Sequence, residues 1–332
     1  MKLVTFEAGG SSRPGALIDE GVLDLGAAAA IAGAPTAAFA SMQSLIESGP
    51  HGWDTARSLI ARADGDAVLA RAGVTLLAPL PRPVRLRDCS LFLQHMEAAL
   101  DKMARMLAED EMDAEAAYEA LKATGKYSLK PIFYERCLYY NADHNSVSGP
   151  EADIVWPSYS DWIDYELEWA CIVGPSGRDI AAREASNHVF GFTIFNDWSA
   201  RDVQIPIMDG MLGPGEGKDF PGGFGLGPCI VTPDEIGDPY ALAMTARVNG
   251  EQWSCGTTGT MHHRFEDAIV QFSREKVLHA GEVIGSGTVL GGCGFELGRK
   301  LAIGDVVELE IEKIGVLRNR VVRAGVREGQ VA

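Results

Sequence analysis

Three acidic residues stand in two neighbouring apolar segments of the chain. Glu166 and Glu168 lie two residues apart in DYELEWACIVG, and Asp197 ends the apolar run of FGFTIFND. On a β-strand, Glu166 and Glu168 project from the same face. Two buried carboxylates on one face are costly unless a cation shares them or one is protonated. With Asp197 they predict a site for an oxygen-coordinated divalent cation, Mg²⁺ or alternatively Mn²⁺ or Ca²⁺.

The alternative interpretation of two alternating glutamates is a strand with one wet face. The segment GDVVELEIEKIG shows that pattern, because its glutamates alternate strictly with valine, leucine and isoleucine. The face that carries Glu166 and Glu168 instead continues with Ala170 and Ile172. This difference favours the cation site.

Charge and composition narrow the class of protein that could carry such a site. The chain has 332 residues with 29 Lys and Arg against 46 Asp and Glu, and this net charge of −17 disfavours nucleic acid and anionic membranes as partners. Its six cysteines are scattered without a C-x-x-C pair, which predicts reduced thiols. Neither an export leader nor a membrane-spanning apolar run is recognisable, so we expect a cytoplasmic enzyme with a small acidic substrate.

Closely spaced prolines divide the chain into two unequal parts. Pro79, Pro81 and Pro83 predict an extended linker over residues 79–84. Residues 1–78 then form a small N-terminal domain with short strands and helices at about 36–48 and 53–72. Residues 85–332 form a larger domain that is mostly β beyond residue 130, with helices at 183–188 and 264–275. The fold class is α+β, predominantly β.

The segment 96–125 differs from the β-rich remainder. Its strong helix formers predict two helices separated by the acidic stretch 109–115, with Asp113 as the cap of the second. Such helices usually serve packing or cover a surface. Because the segment follows His95 directly, it is also a candidate lid.

Four motifs resemble the fumarylacetoacetate hydrolase family in their order and spacing. They are DYELEWACIVG, FGFTIFNDWSARD, GKDF with GLGPCIVT, and GSGT followed by GDVVELEIEKIGVLRNRV. The N-terminal segment MKLVTFEAGGSSRPGALIDEGVLDL is also similar, so the resemblance covers almost all of the chain outside 100–130. It implies a mixed β-roll catalytic domain, a small N-terminal α/β domain and a homodimer formed through the larger domain.

The resemblance also implies roles for residues around the predicted cation site. In RDCSLFLQH, Asp88 corresponds to a fourth metal carboxylate and His95 to the general base. The family holds this base with a glutamate, for which Glu97 and Glu296 are the two candidates here.

A lysine and two polar residues complete the implied site. Lys218 would lie beside the metal and meet the substrate, while Gln204 and Thr288 would contact the substrate. A phosphate-binding loop around Lys218 is excluded because Leu212 and Asp219 stand at two obligatory motif positions. The chain departs from the family at Gly222, usually Thr, and at Val289, usually Pro. A structural role is expected for Arg201 and Asp202.

This set of residues predicts a metal-dependent hydrolase that cleaves a C–C bond in a small acidic 1,3-dicarbonyl compound, of the acylpyruvate or fumarylacetoacetate type. A divalent cation polarises the carbonyl groups and stabilises an enolate, and the histidine activates water. The same site would serve a 2-oxo acid decarboxylase or isomerase, or a sugar-acid dehydratase or hydrolase. A binding protein without chemistry is a further alternative, which the presence of all three core carboxylates disfavours.

Overall fold

The computed structural model describes residues 1–63 and 65–324. Its α-helices are α1 (Leu25–Ile31), α2 (Met42–Glu47), α3 (Gly49–Arg62), α4 (Leu93–Ala108), α5 (Ala114–Ala123), α6 (Ile132–Glu135), α7 (Arg201–Met208), α8 (Pro233–Ile236), α9 (Phe265–Phe272) and α10 (Gly294–Leu297). Short 3₁₀ helices cover Ala37–Phe39, Gly65–Ala67, Arg71–Gly73, Ala182–His188, Gly215–Gly217 and Thr258–Thr260. None of the helices in these residues is long and apolar enough to cross a membrane.

The strands outnumber the helices, as the fold class requires. They are β1 (Lys2–Ala8), β2 (Ser11–Ile18), β3 (Gly21–Asp24), β4 (Val68–Leu69), β5 (Thr75–Leu76), β6 (Arg85–Cys89), β7 (Tyr139–Ala142), β8 (Val147–Ser148), β9 (Asp153–Trp156), β10 (Ile163–Asp164), β11 (Leu167–Val173), β12 (Gly177–Arg178), β13 (Val189–Asp197), β14 (Ser199–Ala200), β15 (Phe224–Val231), β16 (Ala243–Val248), β17 (Glu251–Thr257), β18 (Val277–Leu278), β19 (Glu282–Gly285), β20 (Val306–Ile311) and β21 (Gly315–Arg323). The predicted α+β, mainly β fold is confirmed.

A large mixed sheet carries the residues of the predicted cation site. Its strand order is β4-β3-β2-β1-β15-β13-β11-β19-β6-β7, with β5 beside β1 and β8 beside β15. A second sheet has the order β17-β16-β20-β21-β9. Strand β1 pairs antiparallel with β15, so the first strands of the chain continue the sheet of the larger part. The division into domains at residues 79–84 stays a prediction.

Strand β11 lies in the middle of the large sheet and is buried on both faces. Trp169 and Cys171 belong to a core that also contains residues of β16, β20 and α9, whereas Ala170 and Ile172 pack with residues of α1, α2 and α3. The face of Glu168 is therefore the one that turns apolar, as the sequence predicts. In β20, by contrast, Val307, Leu309 and Ile311 are buried and the alternating glutamates are partly exposed.

The helical segment after His95 consists of two helices, as predicted. Helix α4 ends at Ala108 and α5 begins at Ala114, where the carboxylate of Asp113 accepts a hydrogen bond from the N–H of Ala116 at 3.0 Å. His95 lies within the first turn of α4 rather than before it.

Three helix predictions are wrong in extent or type. The helix expected over 36–48 is divided into a 3₁₀ helix at Ala37–Phe39 and α2 at Met42–Glu47. The helix expected over 53–72 is α3, which ends at Arg62 because Ala63 adopts a left-handed conformation with φ 30°. The segment expected to be helical at 183–188 is a 3₁₀ helix.

A buried ion pair joins β6 to β19, the parallel strands beside the predicted cation site. The guanidinium of Arg87 donates to the carboxylate of Glu282, and both side chains are 1% exposed. Arg87 also lies over the rings of Tyr139 and Phe272, at 5.4 and 5.1 Å from their centroids. The pair therefore connects β6 and β19 to the aromatic core.

We expect Arg87→Ala to lower the free energy of unfolding by about 3–5 kcal/mol, because it leaves the Glu282 carboxylate buried without its cation. The matched control is Arg247→Ala, which removes a half-exposed pair with Glu310 and should cost less than about 1 kcal/mol. Urea denaturation of both variants measures the difference, and equal losses would contradict the structural role of Arg87.

Candidate active site

Three buried carboxylates from strands β6, β11 and β13 of the large sheet meet in one place, with β19 between β11 and β6. Asp88 belongs to β6, Glu168 to β11 and Asp197 to the last position of β13. One oxygen of each lies within 4.8 Å of the others. Glu168 and Asp197 are completely buried and Asp88 is 8% exposed. The structure thus brings together residues that are up to 109 positions apart in the sequence.

Burial and mutual repulsion perturb the proton affinity of this cluster. Burial raises the pKa of Glu168 well above its usual value, and the charges of Asp88 and Glu166 raise it further. Burial likewise raises the pKa of Asp197, and that of Asp88 to about 6. The raised pKa values mean that the ionised carboxylates lack sufficient compensating positive charge. A divalent cation would supply it.

Glu166 lies beside the cluster and is already paired. Its two oxygens contact Lys218 Nζ at 2.6 Å and Arg201 Nη2 at 2.9 Å. Burial alone would raise the pKa of Glu166, but Lys218 and Arg201 outweigh this effect and lower it to about 2. The three carboxylates whose oxygens lie within 4.8 Å of one another therefore include Asp88 and not Glu166, which the sequence predicts as a ligand. The ligand role of each residue stays a prediction.

Lys218 neutralises part of the charge from within the site. Its ammonium is 2.6 Å from Glu166 Oε2 and 2.7 Å from Asp197 Oδ2, and the side chain is 2% exposed. Burial would lower the pKa of Lys218, but the carboxylates of Asp197 and Glu166 raise it above its ordinary value. The ammonium stays charged at neutral pH.

Arg201 and Asp202 serve other contacts instead of pairing with each other. Arg201 donates from Nε to Asp164 at 3.0 Å and forms an ion pair with Glu166, to which Lys218 is also bound. Asp202 accepts hydrogen bonds from the hydroxyl of Ser160 and from the N–H of Asp161. These contacts fix the loop that precedes β11. They agree with the structural role expected for both residues.

The oxygen atoms present fit a divalent cation. Asp197 Oδ1 is buried and has no hydrogen-bond partner, while Oδ2 accepts from Lys218 and from the hydroxyl of Tyr140 at 2.6 Å. Glu168 accepts from the N–H of Gly287 at 3.0 Å and from the hydroxyl of Thr288 at 3.1 Å. The site thus offers three clustered carboxylates, one of which has an oxygen without a hydrogen-bond partner. Carboxylate oxygens of this kind are the donors that Mg²⁺ and Mn²⁺ prefer.

His95 lines the same cavity and is paired with a glutamate behind it. His95 Nδ1 lies 2.6 Å from Glu296 Oε1, and the side chains are 11% and 5% exposed. Glu296 is in α10 and is held in place by the N–H of Gly291, which donates to Oε2 at 3.0 Å. Glu97, the other candidate, lies on the exposed side of α4 and accepts a hydrogen bond from Tyr134. The structure therefore places Glu296 beside the imidazole and Glu97 away from it.

The cavity has a volume of about 120 Å³, which is below the range usual for drug-sized ligands and restricts it to a small molecule. It is lined by residues from several elements, including Asp88, His95, Tyr140, Glu166, Glu168, Asp197, Gln204, Lys218, Gly287 and Thr288. No pattern in the sequence indicates Tyr140 or the backbone N–H of Gly287 as part of the site. The pairing of Asp88 with Tyr140 across β6 and β7 would have indicated the tyrosine, but the sequence alone does not give this register.

The two residues predicted to contact the substrate line the cavity, but both already form hydrogen bonds within the protein. Gln204 Oε1 accepts from Arg201 at 2.9 Å, which leaves its amide N–H groups for a ligand. The Thr288 hydroxyl donates to Glu168. Their substrate contacts stay predictions.

Comparisons with known proteins identify similar sequences and a similar fold. The family model described as "Fumarylacetoacetate (FAA) hydrolase C-terminal" matches residues 114–322. The chain is 29% identical over 332 residues to the mitochondrial oxaloacetate tautomerase fahd2 of Xenopus laevis. This match covers 97% of the chain and 90% of that protein. It is 39% identical over 184 residues to the human mitochondrial oxaloacetate tautomerase FAHD2A, and this match covers 54% of the chain and only 56% of the human protein.

A solved structure shows the same fold over almost all of the chain. The fumarylacetoacetate hydrolase of Exiguobacterium antarcticum is 27% identical, with a TM-score of 0.69 over 97% of this chain and 99% of that protein. The residues matched by the family model include Glu166, Glu168, Asp197 and Lys218, whereas Asp88 and His95 precede them.

Glu168→Gln should weaken Mn²⁺ and Mg²⁺ binding by more than about 100-fold. Losing a residue that only supports a metal ligand usually costs about 10- to 100-fold in affinity, and losing the ligand itself should cost more. Calorimetric titration measures the affinity. Since glutamine resembles the neutral carboxyl that burial favours, the metal-free variant should be at least as thermally stable as the wild type.

The matched control is Glu310→Gln, which changes a partly exposed glutamate in the other sheet. It should leave the affinity and the metal-dependent increase in Tm unchanged. Unaltered affinity in Glu168→Gln would show that the cation binds elsewhere.

Proposed function

Because the chain belongs to the fumarylacetoacetate hydrolase family, we propose that it is a divalent-metal-dependent enzyme that hydrolyses a C–C bond in a small acidic 1,3-dicarbonyl compound. The observation that carries this proposal is His95, which is paired with Glu296 and lines the same cavity as the carboxylates of Asp88, Glu168 and Asp197. A base and a cation site that share one small cavity suit an acidic substrate with adjacent carbonyl oxygens.

The cation would be held by the carboxylates of Asp88, Glu168 and Asp197, with Glu166 beside them. When bound, Mg²⁺ or Mn²⁺ supplies a Lewis acid that polarises carbonyl groups and stabilises developing negative charge. Lys218 fixes the positions of Glu166 and Asp197, so it contributes positive charge without becoming a proton acceptor.

Glu296 orients His95 for proton transfer. A carboxylate at Nδ1 favours the tautomer with its proton on that nitrogen, which leaves Nε2 as the acceptor, and it stabilises the imidazolium that forms. In hydrolysis, Nε2 takes a proton from water while the oxygen adds to a carbonyl carbon. The C–C bond then breaks with its electron pair on the departing fragment, which leaves as an enolate and takes up a proton.

Keto–enol tautomerisation of a 2-oxo acid is the second candidate function. The observation that favours it is the match over 97% of the chain to a protein named as an oxaloacetate tautomerase. In this reaction His95 would take a proton from the carbon beside the carbonyl group, and no water would be consumed. The residues of the site serve both reactions, so the products decide between them.

His95→Asn should lower kcat by about 10² to 10⁴, the usual contribution of a general base, and leave Mn²⁺ affinity within about threefold. Wild type and variant are assayed with acetylpyruvate for hydrolysis and with oxaloacetate for enol–keto conversion, both followed by ultraviolet absorbance. Turnover of acetylpyruvate by the variant within about threefold of wild type would remove the hydrolytic mechanism. Loss confined to oxaloacetate would establish the tautomerase instead.

Glu296→Gln and Glu97→Gln compare the two glutamates near the base. Because Glu296 contacts His95 and Glu97 does not, we expect kcat to fall by about tenfold or more in the first variant and to stay within about twofold in the second. The pH profile of kcat/KM should also shift only in Glu296→Gln. The reverse pattern would assign the positioning role to Glu97.

A further inference from the structure

A second cavity adjoins the carboxylate cavity and is lined mainly by apolar side chains. Its volume is about 110 Å³, and it shares His95, Met96, Glu166, Gln204 and Met208 with the first cavity. The remaining wall is apolar and comes from Ala99, Leu100, Met103, Ile205 and Phe295, with Arg201 beside them. The two cavities are therefore neighbouring parts of one binding region.

Three helices build this apolar wall. Met96, Leu100 and Met103 follow the spacing of one face of α4, Ile205 and Met208 belong to α7, and Phe295 lies in α10. The stripe on α4 would ordinarily serve packing against another helix. Here it borders a cavity instead, and methionine side chains adapt readily to ligands of different shape.

Lys218 lines the carboxylate cavity and Arg201 lines the apolar cavity, and both cations are already paired with protein carboxylates. Arg201 binds Asp164 and Glu166, and Lys218 binds Glu166 and Asp197. Among the described lining residues, neither lysine nor arginine is left to receive a second carboxylate of a substrate. A charged group placed in the apolar cavity would lose its hydration without gaining a partner.

We propose that the apolar cavity binds an alkyl or phenyl group at the end of the substrate opposite its 2-oxo acid group. This inference rests on the proposed function and narrows its substrate class to 2-oxo or 2,4-dioxo acids with an apolar end. Dicarboxylates with a second carboxylate at that end are disfavoured. The selective residues are Leu100 and Met103 on α4, with Ile205 and Phe295 opposite.

Binding of simple 2-oxo acids tests the proposal without requiring turnover. Calorimetry in saturating Mn²⁺ compares pyruvate, 2-oxopentanoate and 2-oxooctanoate, and then 2-oxoglutarate, which has the carbon chain of 2-oxopentanoate with a carboxylate in place of the methyl group. Affinity should rise by about fourfold for each methylene until the cavity is filled. 2-Oxoglutarate should bind at least about tenfold more weakly than 2-oxopentanoate. Equal affinity across the alkyl series, or tighter binding of 2-oxoglutarate, would overturn the proposal.

Two variants localise the effect to the cavity. Ala99→Leu fills the space with a good helix former, and Met103→Gln replaces the thioether by a polar group of similar size. Both should reduce the ratio of 2-oxooctanoate to pyruvate affinity by about tenfold or more. Ala98→Leu is the matched control, since Ala98 is the neighbouring alanine on α4 and does not line the cavity. An equal change of the ratio in Ala98→Leu, or no change in the other two variants, would refute the assignment.

Turnover assays separate this inference from the proposed function. If the alkyl series binds as expected but no 2,4-dioxo acid is hydrolysed and oxaloacetate is not tautomerised, the binding site stands and the proposed reaction fails. If acetylpyruvate is hydrolysed while longer acylpyruvates show neither tighter binding nor higher kcat/KM, the reaction stands and the apolar subsite is wrong. Circular dichroism of each variant confirms that its helices are retained.

Discussion

Unbalanced negative charge in the interior is the constraint on which the site depends. Asp88, Glu168 and Asp197 have oxygens within 4.8 Å of one another and are almost fully removed from solvent. Two charges about 4 Å apart interact by on the order of 4 kcal/mol at an effective dielectric constant of about 20, whereas an ordinary hydrogen bond contributes about 1 kcal/mol. The hydrogen bonds from Gly287 and Thr288 therefore cannot offset the repulsion, and a cation or bound protons must.

The sheet and two glycines let the carboxylates approach this closely. Strands β13, β11, β19 and β6 are neighbours, so their side chains form a row across the sheet. A Cβ atom at Gly285 would lie 2.6 Å from Asp88 Oδ1, and one at Gly287 would lie 2.2 Å from the carbonyl oxygen of Cys89. Gly287 also has a φ of 76°, which side chains rarely tolerate. The loop after β19 can thus direct its N–H toward Glu168 only because these positions lack side chains.

Local patterns in the sequence indicated part of this arrangement, because they reflect local physics. Period-two spacing placed Glu166 and Glu168 on one face, and helix formers around a polar break predicted the two helices of 96–125. The pairing of β1 with β15 and the contact of His95 with Glu296 join positions about 200 or more residues apart. No local propensity determines such pairings, which follow from the packing of the whole sheet. Only the family resemblance predicts a role for Asp88, because its seven-residue spacing from His95 does not indicate that the two residues lie together.

In the proposed function, helix α4 connects the chemistry to substrate selection. It carries His95 in its first turn and the apolar residues Leu100 and Met103 one and two turns later, so the base and the apolar wall belong to one rigid element. An apolar group seated between α4 and α7 would contact the helix that positions His95. Binding energy from a part of the substrate remote from the reacting bond would then hold the imidazole in place, which raises kcat as well as affinity. A short substrate that leaves this space empty would reach the same carboxylates without this positioning of His95. The proposed subsite would therefore couple substrate selectivity to catalysis through the helix.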